Sequence, residues 1–306
     1  MNKKVLIIGG GPAGMSCALW LSNYGLSPII CETKSHLGGM QFISNFCNKW
    51  FIGNIGETGH DIAKSFINHI NYERIQVLLN TDVLSVNKKK DGFHISLNIN
   101  NDIQNMIFSN IVIASGTKFS GDNWYKDIPG GENIKDIINI GPASLADNTK
   151  WFGLNPVIVG SGDNAAECSL FLIEKGAHPI VIIRNTLKSK KIYKDRLQEM
   201  KNKGYLTIHE HTTITSIKQN KKIILSNDEE YDFSSIFLMI GYEPNHISAI
   251  KNITNDENNY ICVDGNCETN INGIYAIGDI ANPTHPCVST AIAMGTIAGR
   301  SIAKKY

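Results

Sequence analysis

The sequence lacks any pair of cysteines at the spacing of a redox or zinc motif, although it contains seven cysteines. There is no Cys-x-x-Cys, and no cysteine has a histidine partner at zinc-binding spacing. An odd number of cysteines without such spacing indicates neither a disulfide framework nor a metal site, so we expect unpaired thiols and no metal. The cysteines are Cys17, Cys31, Cys47, Cys168, Cys262, Cys267 and Cys287.

The sequence also has little net charge. Lys and Arg number 29 against 28 Asp and Glu, which gives a formal net charge of +1. A charge this small produces no field that would attract nucleic acid or an anionic membrane. We therefore expect small molecules as partners and no nucleic acid.

Long hydrophobic runs are absent as well. No stretch is apolar enough to span a bilayer, and the apolar start at residues 5–8 runs into three glycines, unlike the core of a signal peptide. These absences predict a cytoplasmic protein with no membrane partner. With 306 residues, 42% of them hydrophobic and 19% charged, the chain has the size and composition of a globular protein of two domains.

The first motif is Gly9-Gly10-Gly11-Pro12-Ala13-Gly14, which follows an apolar strand and opens a helix. In this setting the first glycine allows a tight turn, the second lets a pyrophosphate approach the backbone, and the third lets helix and strand pack closely. Glu32 follows the next strand at the distance expected of an acid that binds the ribose hydroxyls. The three features together favour a dinucleotide site over a glycine turn without a ligand.

A second motif of the same type is Gly160-Ser161-Gly162-Asp163-Asn164-Ala165, in which alanine replaces the third glycine. The strand after it ends in Arg184, with Lys188, Lys190 and Lys191 just beyond, where an enzyme specific for NAD would carry an acid. Basic side chains there favour a 2′-phosphate and hence NADPH. The alternative, a solvated basic surface, remains open for the lysines.

The two motifs predict an α/β fold with two Rossmann-like dinucleotide-binding domains. The C-terminal tail carries an apolar strand and a helix at residues 288–303 but no glycine turn of its own, so it should return to the first domain. The second domain is then inserted into the first, with boundaries at 1–116 plus 241–306 and at 117–240. Short alternating stretches predict a small antiparallel β layer in each domain: residues 81–86, 93–99, 206–208, 213–218 and 223–225.

The ordered motifs resemble the low-molecular-weight thioredoxin reductase family, a group of flavoproteins of the class II pyridine nucleotide-disulfide oxidoreductase type, over essentially the whole chain. The resemblance implies an FAD-binding domain made from both chain ends, an inserted NAD(P)H-binding domain, and a homodimer. The matching segments are residues 9–14, 38–39, 58–59, 114–116, 128–130, 160–167, 241–245 and 273–279.

The resemblance also implies roles for single residues. Asp279, after Gly278, would bind the ribityl and phosphate region of FAD, and the backbone of Val83 would bind its adenine. The amide of Val288 would contact the flavin pyrimidine carbonyl, and Glu167 would lie near the nicotinamide. The remaining cofactor contacts that the matching segments imply are Gly39, Gln41, Ala114, Gly116 and Gly241.

The chain departs from that family at the redox disulfide. The family's Cys-x-x-Cys-Asp falls on Ala143-Ser144-Leu145-Ala146-Asp147, so that methyl groups replace both sulfurs. Alanine forms no thiolate, and electrons cannot pass through this motif. The leading hypothesis is an FAD-dependent NAD(P)H oxidoreductase that passes electrons from NAD(P)H via FAD to an external acceptor: ferredoxin or flavodoxin, a quinone, or a small disulfide.

Cys287 is the candidate catalytic residue of a second hypothesis. It stands directly before a helix, where the helix N-terminus lowers the pKa of a thiol, and it would form a mixed disulfide with a small thiol. The alternative is that Cys287 is a small buried thiol that packs near the flavin and has no catalytic role. A third hypothesis is a non-catalytic redox sensor that holds flavin and nucleotide without turnover.

Overall fold

A computed structural model describes residues 3–142, 145 and 151–306. The predicted replacement of the redox disulfide therefore lies outside the described residues at Ala143, Ser144, Ala146 and Asp147. The chain forms two compact units: unit 1 comprises residues 1–118 and 244–306, and unit 2 comprises residues 119–243. The predicted boundaries after residues 116 and 240 lie two and three residues before these.

Strands and helices follow one another along both units. The strands are β1 (Lys4–Ile8), β2 (Ser27–Cys31), β3 (Gln76–Leu78), β4 (Thr81–Lys89), β5 (Gly92–Ile99), β6 (Asp102–Phe108), β7 (Asn110–Ile113), β8 (Thr117–Phe119), β9 (Ile138–Ile140), β10 (Val157–Val159), β11 (Ile180–Ile182), β12 (Thr207–His209), β13 (Ile214–Lys218), β14 (Lys222–Leu225), β15 (Glu230–Asp232), β16 (Ile236–Leu238), β17 (Tyr242–Pro244) and β18 (Ile274–Ala276). The α-helices are α1 (Pro12–Asn23), α2 (Gly39–Phe42), α3 (Gly59–Tyr72), α4 (Asp163–Glu174), α5 (Lys191–Asn202) and α6 (Val288–Ala303). Within the described ranges, no helix is long and apolar enough to cross a bilayer.

Unit 1 is built on a five-stranded parallel sheet in the order β18-β7-β1-β2-β3. Successive side chains of a strand point to opposite faces, and β1 shows this directly. Val5 and Ile7 pack in the same cluster as buried residues of α1 and α6, whereas Leu6 and Ile8 pack with Phe93 of β5. The sheet is thus covered by helices on one face and by the antiparallel sheet β4-β5-β6 on the other.

Unit 2 repeats this plan. Its parallel sheet has the order β12-β11-β10-β16-β9, and a three-stranded antiparallel sheet, β13-β14-β15, packs on one face of it. Val157 of β10 shares a core cluster with Ile223 of β14. The predicted α/β architecture of two Rossmann-like domains, each with a small antiparallel layer, is confirmed.

The structure corrects the sequence-based assignment of three strands. Residues 206–208 were predicted for the antiparallel layer, but β12 pairs in parallel with β11 at the edge of the main sheet. The edge strands β6 and β15, which complete the two antiparallel layers, were not predicted. Both are rich in polar residues, because the edge of a layer that covers only one face buries little apolar surface.

Candidate nucleotide-binding sites

The first glycine turn, residues 9–14, lies at the point where the strand order of unit 1 reverses direction. β1 is flanked by β2 on one side and by β7 on the other, and ligands of open α/β sheets bind at the carboxyl ends of strands at such a point. Gly9 has φ +112°, and a Cβ on Gly9 would lie 2.3 Å from the Ala114 carbonyl oxygen. A Cβ on Gly14 would lie 2.1 Å from the Gly9 oxygen. Gly11, by contrast, is not crowded, because the nearest atom to an added Cβ would be Gly39 Cα at 4.0 Å, an ordinary contact distance.

Glu32 lies at the carboxyl end of β2, beside the first glycine turn. Its Oε2 accepts a hydrogen bond from the Gly10 N–H at 2.8 Å, and its Oε1 accepts one from the Lys34 N–H at 3.0 Å. The residue is only 9% exposed, so these bonds compensate the buried charge. The side chain of the predicted acid is thus held against the turn by the hydrogen bond from the Gly10 backbone.

Other predicted residues lie at the same edge because their strands are parallel neighbours. Ala114 and Gly116 follow β7, and Gly278 and Asp279 follow β18, which pairs with β7. The hydroxyl of Ser115, the residue between Ala114 and Gly116, is buried and has no hydrogen-bond partner in the described part of the protein.

The α2 turn lies against the first glycine turn from a different part of unit 1. Gly38 N–H donates to the Gly10 carbonyl oxygen at 2.8 Å, and a Cβ on Gly39 would lie 3.1 Å from Gly11 Cα. The side-chain oxygen of Gln41 faces Gly59, whose added Cβ would lie 2.7 Å from it. Gly39 is therefore part of the turn's immediate surroundings, and Gln41 lies between α2 and the start of α3.

Asp279 is a partly buried carboxyl group at this edge. Burial raises its pKa above the ordinary value of 3.8, because desolvation disfavours the charged form. A carboxylate held here at neutral pH reduces the stability of the flavin-free protein.

The Asp279→Asn variant is expected to make the flavin-free protein more stable at neutral pH. A raised folded-state pKa means that the wild-type protein loses stability as pH rises from 3.8 through that pKa, whereas asparagine does not titrate. We expect the melting temperature of the variant to exceed that of the wild type by about 2–4 °C at pH 7 and by less at pH 4. Thermal unfolding at both pH values measures this, and a variant that melts lower than the wild type at pH 7 would contradict it.

The N-terminus of α6 carries Val288 and Cys287. Cys287 is the N-cap residue, and its N–H donates to Thr290 Oγ1 at 3.0 Å. Burial would raise the pKa of the Cys287 thiol, but hydrogen bonds from the Thr290 side chain and from the backbone of Thr290 and Ser289 outweigh it and lower the pKa.

Val83 lies on β4, next to a break in register with β5, and is partly buried.

The pKa of the Cys287 thiol is lowered, whereas the pKa values of the buried cysteines are raised. Burial raises the pKa of Cys17 and Cys168, raises that of Cys31 to about 12, and raises that of Cys267 to about 11. All seven thiols are free. Within the described residues, no group of three or more His, Cys, Asp or Glu side chains could hold a metal ion.

The residues of unit 1 fit FAD. The loose surroundings of Gly11, the N-terminus of α1 without a side-chain cap, and the Ser115 hydroxyl without a partner among the described residues suit a pyrophosphate and ribityl chain. Glu32 would hold the adenosine ribose, and Asp279 would hold the ribityl and phosphate region.

The second glycine turn, residues 160–165, occupies the equivalent switch point of unit 2. β10 is flanked by β11 and β16, and Gly160 has φ +152° with its added Cβ 2.3 Å from the Met239 carbonyl oxygen. Around Gly162, the N-cap of α4, no atom lies within 4 Å of an added Cβ. Ala165, which replaces the third glycine, is buried. Gly241 follows β16 with φ +110°.

Three polar side chains of the second turn and of α4 have partners that sequence reasoning missed. Asn164 Nδ2 donates to Tyr242 Oη at 2.5 Å. Glu167 accepts a hydrogen bond from Tyr193 Oη, and burial, with the Glu167 carboxylate, raises the pKa of Tyr193. Tyr242 lies 78 residues from Asn164, and Tyr193 lies 26 residues from Glu167. A local sequence pattern cannot predict pairs so far apart.

Asp163 is the third of these side chains. Its Oδ1 accepts the Lys190 N–H at 2.8 Å, and its Oδ2 lies 2.8 Å from Lys190 Nζ. Lys191 is paired as well, with Asp195 at 2.7 Å. Two of the basic side chains predicted near a 2′-phosphate are therefore engaged with acids.

Arg184 and Lys188 are the basic side chains that remain for a 2′-phosphate. Both are exposed, and neither forms an ion pair with a described residue. The Lys188 N–H donates to the Ser161 carbonyl oxygen at 2.8 Å, which holds this segment against the second glycine turn. The residues of unit 2 therefore fit a nicotinamide dinucleotide, with the pyrophosphate over Gly162.

Comparison with known proteins gives a family match over nearly the whole chain. The model of the family described as pyridine nucleotide-disulphide oxidoreductase matches residues 3–295. A "34.2 kDa protein in rubredoxin operon" of Clostridium pasteurianum is 28% identical and covers 99% of this chain and 96% of its own. A thioredoxin reductase of Rickettsia typhi is 26% identical, covering 99% and 98%. A ferredoxin–NADP reductase of Ignicoccus hospitalis is 24% identical, covering 97% and 96%.

Solved structures share the fold. The thioredoxin reductase of T. acidophilum superimposes with a TM-score of 0.84 at 22% identity, and the match covers 99% of both chains. The bacillithiol disulfide reductase of Bacillus cereus has a TM-score of 0.81 at 18% identity and covers 100% of both.

Proposed function

Because the chain belongs to the pyridine nucleotide-disulphide oxidoreductase family, we propose that it takes electrons from NAD(P)H and delivers them to an external acceptor without a pair of redox cysteines in between. It is an FAD-dependent NAD(P)H oxidoreductase, and thioredoxin reductase-like members of the family bind FAD and NADPH. FAD, when bound, supplies the two-electron chemistry that connects the nicotinamide with the acceptor.

The observation that carries the proposal is the combination of two glycine turns built for nucleotides with a sequence that has no Cys-x-x-Cys. An added Cβ would meet no close contact at Gly11 or at Gly162, where each pyrophosphate would lie. The acid Glu32 lies at the first turn and the base Lys188 at the second. A disulfide relay needs two thiols that can pair, and the resemblance to thioredoxin reductases places the family's two cysteine positions on Ala143 and Ala146. The acceptor must then be reached without them.

In this proposal the residues of the chain bind and orient the cofactors. Glu32 and Asp279 fix the flavin nucleotide, Arg184 and Lys188 bind a 2′-phosphate and so favour NADPH over NADH, and Glu167 lies near the nicotinamide. The relatives named thioredoxin reductase, ferredoxin–NADP reductase and bacillithiol disulfide reductase suggest the acceptor classes to test.

The test is anaerobic reduction followed by an acceptor panel. The purified flavoprotein should lose its flavin absorbance on addition of NADPH, and faster than with NADH. The reduced protein should regain it with ferredoxin, flavodoxin, a quinone or a small disulfide, but not through oxidised thioredoxin. A flavin that neither nucleotide bleaches would refute the proposal, as would rapid turnover with thioredoxin.

Cys287 supports a second candidate function, reduction of a small disulfide. Its lowered pKa raises the thiolate fraction at neutral pH, and a thiolate attacks a disulfide to form one new S–S bond while one thiolate leaves. Two electrons from NAD(P)H and one proton would then release the second thiol.

The Cys287→Ser variant separates the two candidates. If electrons pass directly to the acceptor, the variant should reduce a quinone or ferredoxin at the parent rate. If Cys287 carries disulfide reduction, the same variant should lose that activity alone, by about 100-fold or more. Steady-state rates with each acceptor decide this, and unchanged rates with every disulfide would eliminate the second candidate.

A further inference from the structure

Lys190 makes an unusual double contact at the second glycine turn. Both oxygens of the Asp163 carboxylate are held by this one residue, Oδ1 by its N–H and Oδ2 by its ammonium, each at 2.8 Å. The neighbouring Lys188 contacts the same turn through its backbone N–H, which donates to the Ser161 carbonyl oxygen. Of the two lysines, Lys190 places its ammonium against the Asp163 carboxylate, whereas this contact of Lys188 with the turn is made by its backbone.

The position of Asp163 gives this contact a consequence. Asp163 is the first residue of α4, directly after the N-cap Gly162, and a pyrophosphate binds at this helix end in a dinucleotide fold. A carboxylate stabilises the helix N-terminus through the helix dipole, but it also repels a bound pyrophosphate. The ammonium of Lys190 cancels that repulsion.

We propose that Lys190 is a positioning residue of the nucleotide site, which acts on the pyrophosphate by neutralising Asp163 and does not bind the 2′-phosphate. This inference rests on the proposed function, because it requires a nicotinamide dinucleotide at the second glycine turn. It assigns the basic segment two separate tasks. Arg184 and Lys188 distinguish NADPH from NADH, whereas Lys190 supports the part that both nucleotides share.

The charge balance predicts a pattern that a direct phosphate contact would not produce. Lys190→Met keeps the backbone N–H bond to Asp163 but leaves the carboxylate uncompensated. Affinity for both nucleotides should then fall by the same factor, about three- to tenfold, the size of one partly solvated charge interaction. Asp163→Asn keeps the hydrogen-bond acceptor and removes the charge, so the double variant should bind nearly as well as the parent.

Calorimetric titration of the purified, FAD-containing protein with NADP⁺ and NAD⁺ tests this. The variants are Lys190→Met, Asp163→Asn and the double variant. The matched control is Lys203→Met, because Lys203 is paired with Glu199 and should leave both affinities unchanged. Arg184→Ala should weaken NADP⁺ alone. The loss in Lys190→Met should shrink at high salt, which screens exposed charges.

Three results would overturn the inference. Loss of NADP⁺ affinity alone in Lys190→Met would assign Lys190 to the 2′-phosphate. A double variant as weak as Lys190→Met would mean a direct contact with the nucleotide or a structural role, which thermal unfolding distinguishes. Unchanged affinity in Lys190→Met would mean no role. A parent protein that binds neither nucleotide would refute the proposed function itself, before any variant is compared.

Discussion

The Gly11→Ala variant should fold like the parent protein and lose its FAD. Gly11 has φ −75°, which alanine adopts without strain, and its added Cβ would meet no atom closer than 4.0 Å. The methyl group would instead fill the space through which a pyrophosphate approaches the backbone. Overpacking of this kind costs about 1–3 kcal/mol, so we expect FAD affinity to fall by up to about 100-fold. The ratio of flavin to protein after purification and the melting temperature without flavin are the two measurements.

Gly14→Ala is the matched control. Its Cβ would lie 2.1 Å from the Gly9 carbonyl oxygen, a backbone atom that cannot move aside. This variant should lose stability even without flavin, because helix α1 and strand β1 can no longer pack as closely. Were Gly11→Ala to retain FAD fully, or to melt as low as Gly14→Ala, the pyrophosphate would not lie over Gly11.

The Gly162→Ala variant should keep its FAD and lose reduction by both nicotinamide nucleotides. Gly162 has φ −89°, and no atom lies within 4 Å of its added Cβ. The substitution should therefore leave the fold and the stability of the protein unchanged. The methyl group would obstruct the pyrophosphate that NADPH and NADH share. We expect the rate of flavin bleaching at low nucleotide concentration to fall by about 100-fold, as measured under anaerobic conditions.

Two controls define this result. Dithionite should still bleach Gly162→Ala, which shows that the flavin remains competent. Gly160→Ala should destabilise unit 2, because its Cβ would lie 2.3 Å from the Met239 carbonyl oxygen at φ +152°. Bleaching of Gly162→Ala at the parent rate would place the nucleotide elsewhere.

Most of the architecture could be read from short stretches of sequence. The two glycine turns lie at the switch points of the two parallel sheets, and Glu32, predicted to bind a ribose, accepts a hydrogen bond from the first turn. The helix predicted at residues 288–303 is α6 with the same bounds. The family inferred from the ordered motifs is confirmed. The roles of the single site residues stay predictions, for which the variants above are the tests.

The partners of polar side chains could not be predicted from short stretches of sequence. The sequence placed Lys188, Lys190 and Lys191 together as a basic segment, but only the structure pairs Lys190 with Asp163 and Lys191 with Asp195. Likewise, Glu167 was expected near the nicotinamide, and its contact with Tyr193 depends on how α4 and α5 pack.

The sequence by itself determined the turns, the strands that lead into them and the absence of a Cys-x-x-Cys motif, because backbone conformation and residue chemistry are local properties. Only the tertiary structure decided which charges are compensated and which polar side chains are paired. Those properties depend on atoms from distant segments that packing brings within hydrogen-bond distance, as Asp163 and Lys190 are, 27 residues apart in the chain.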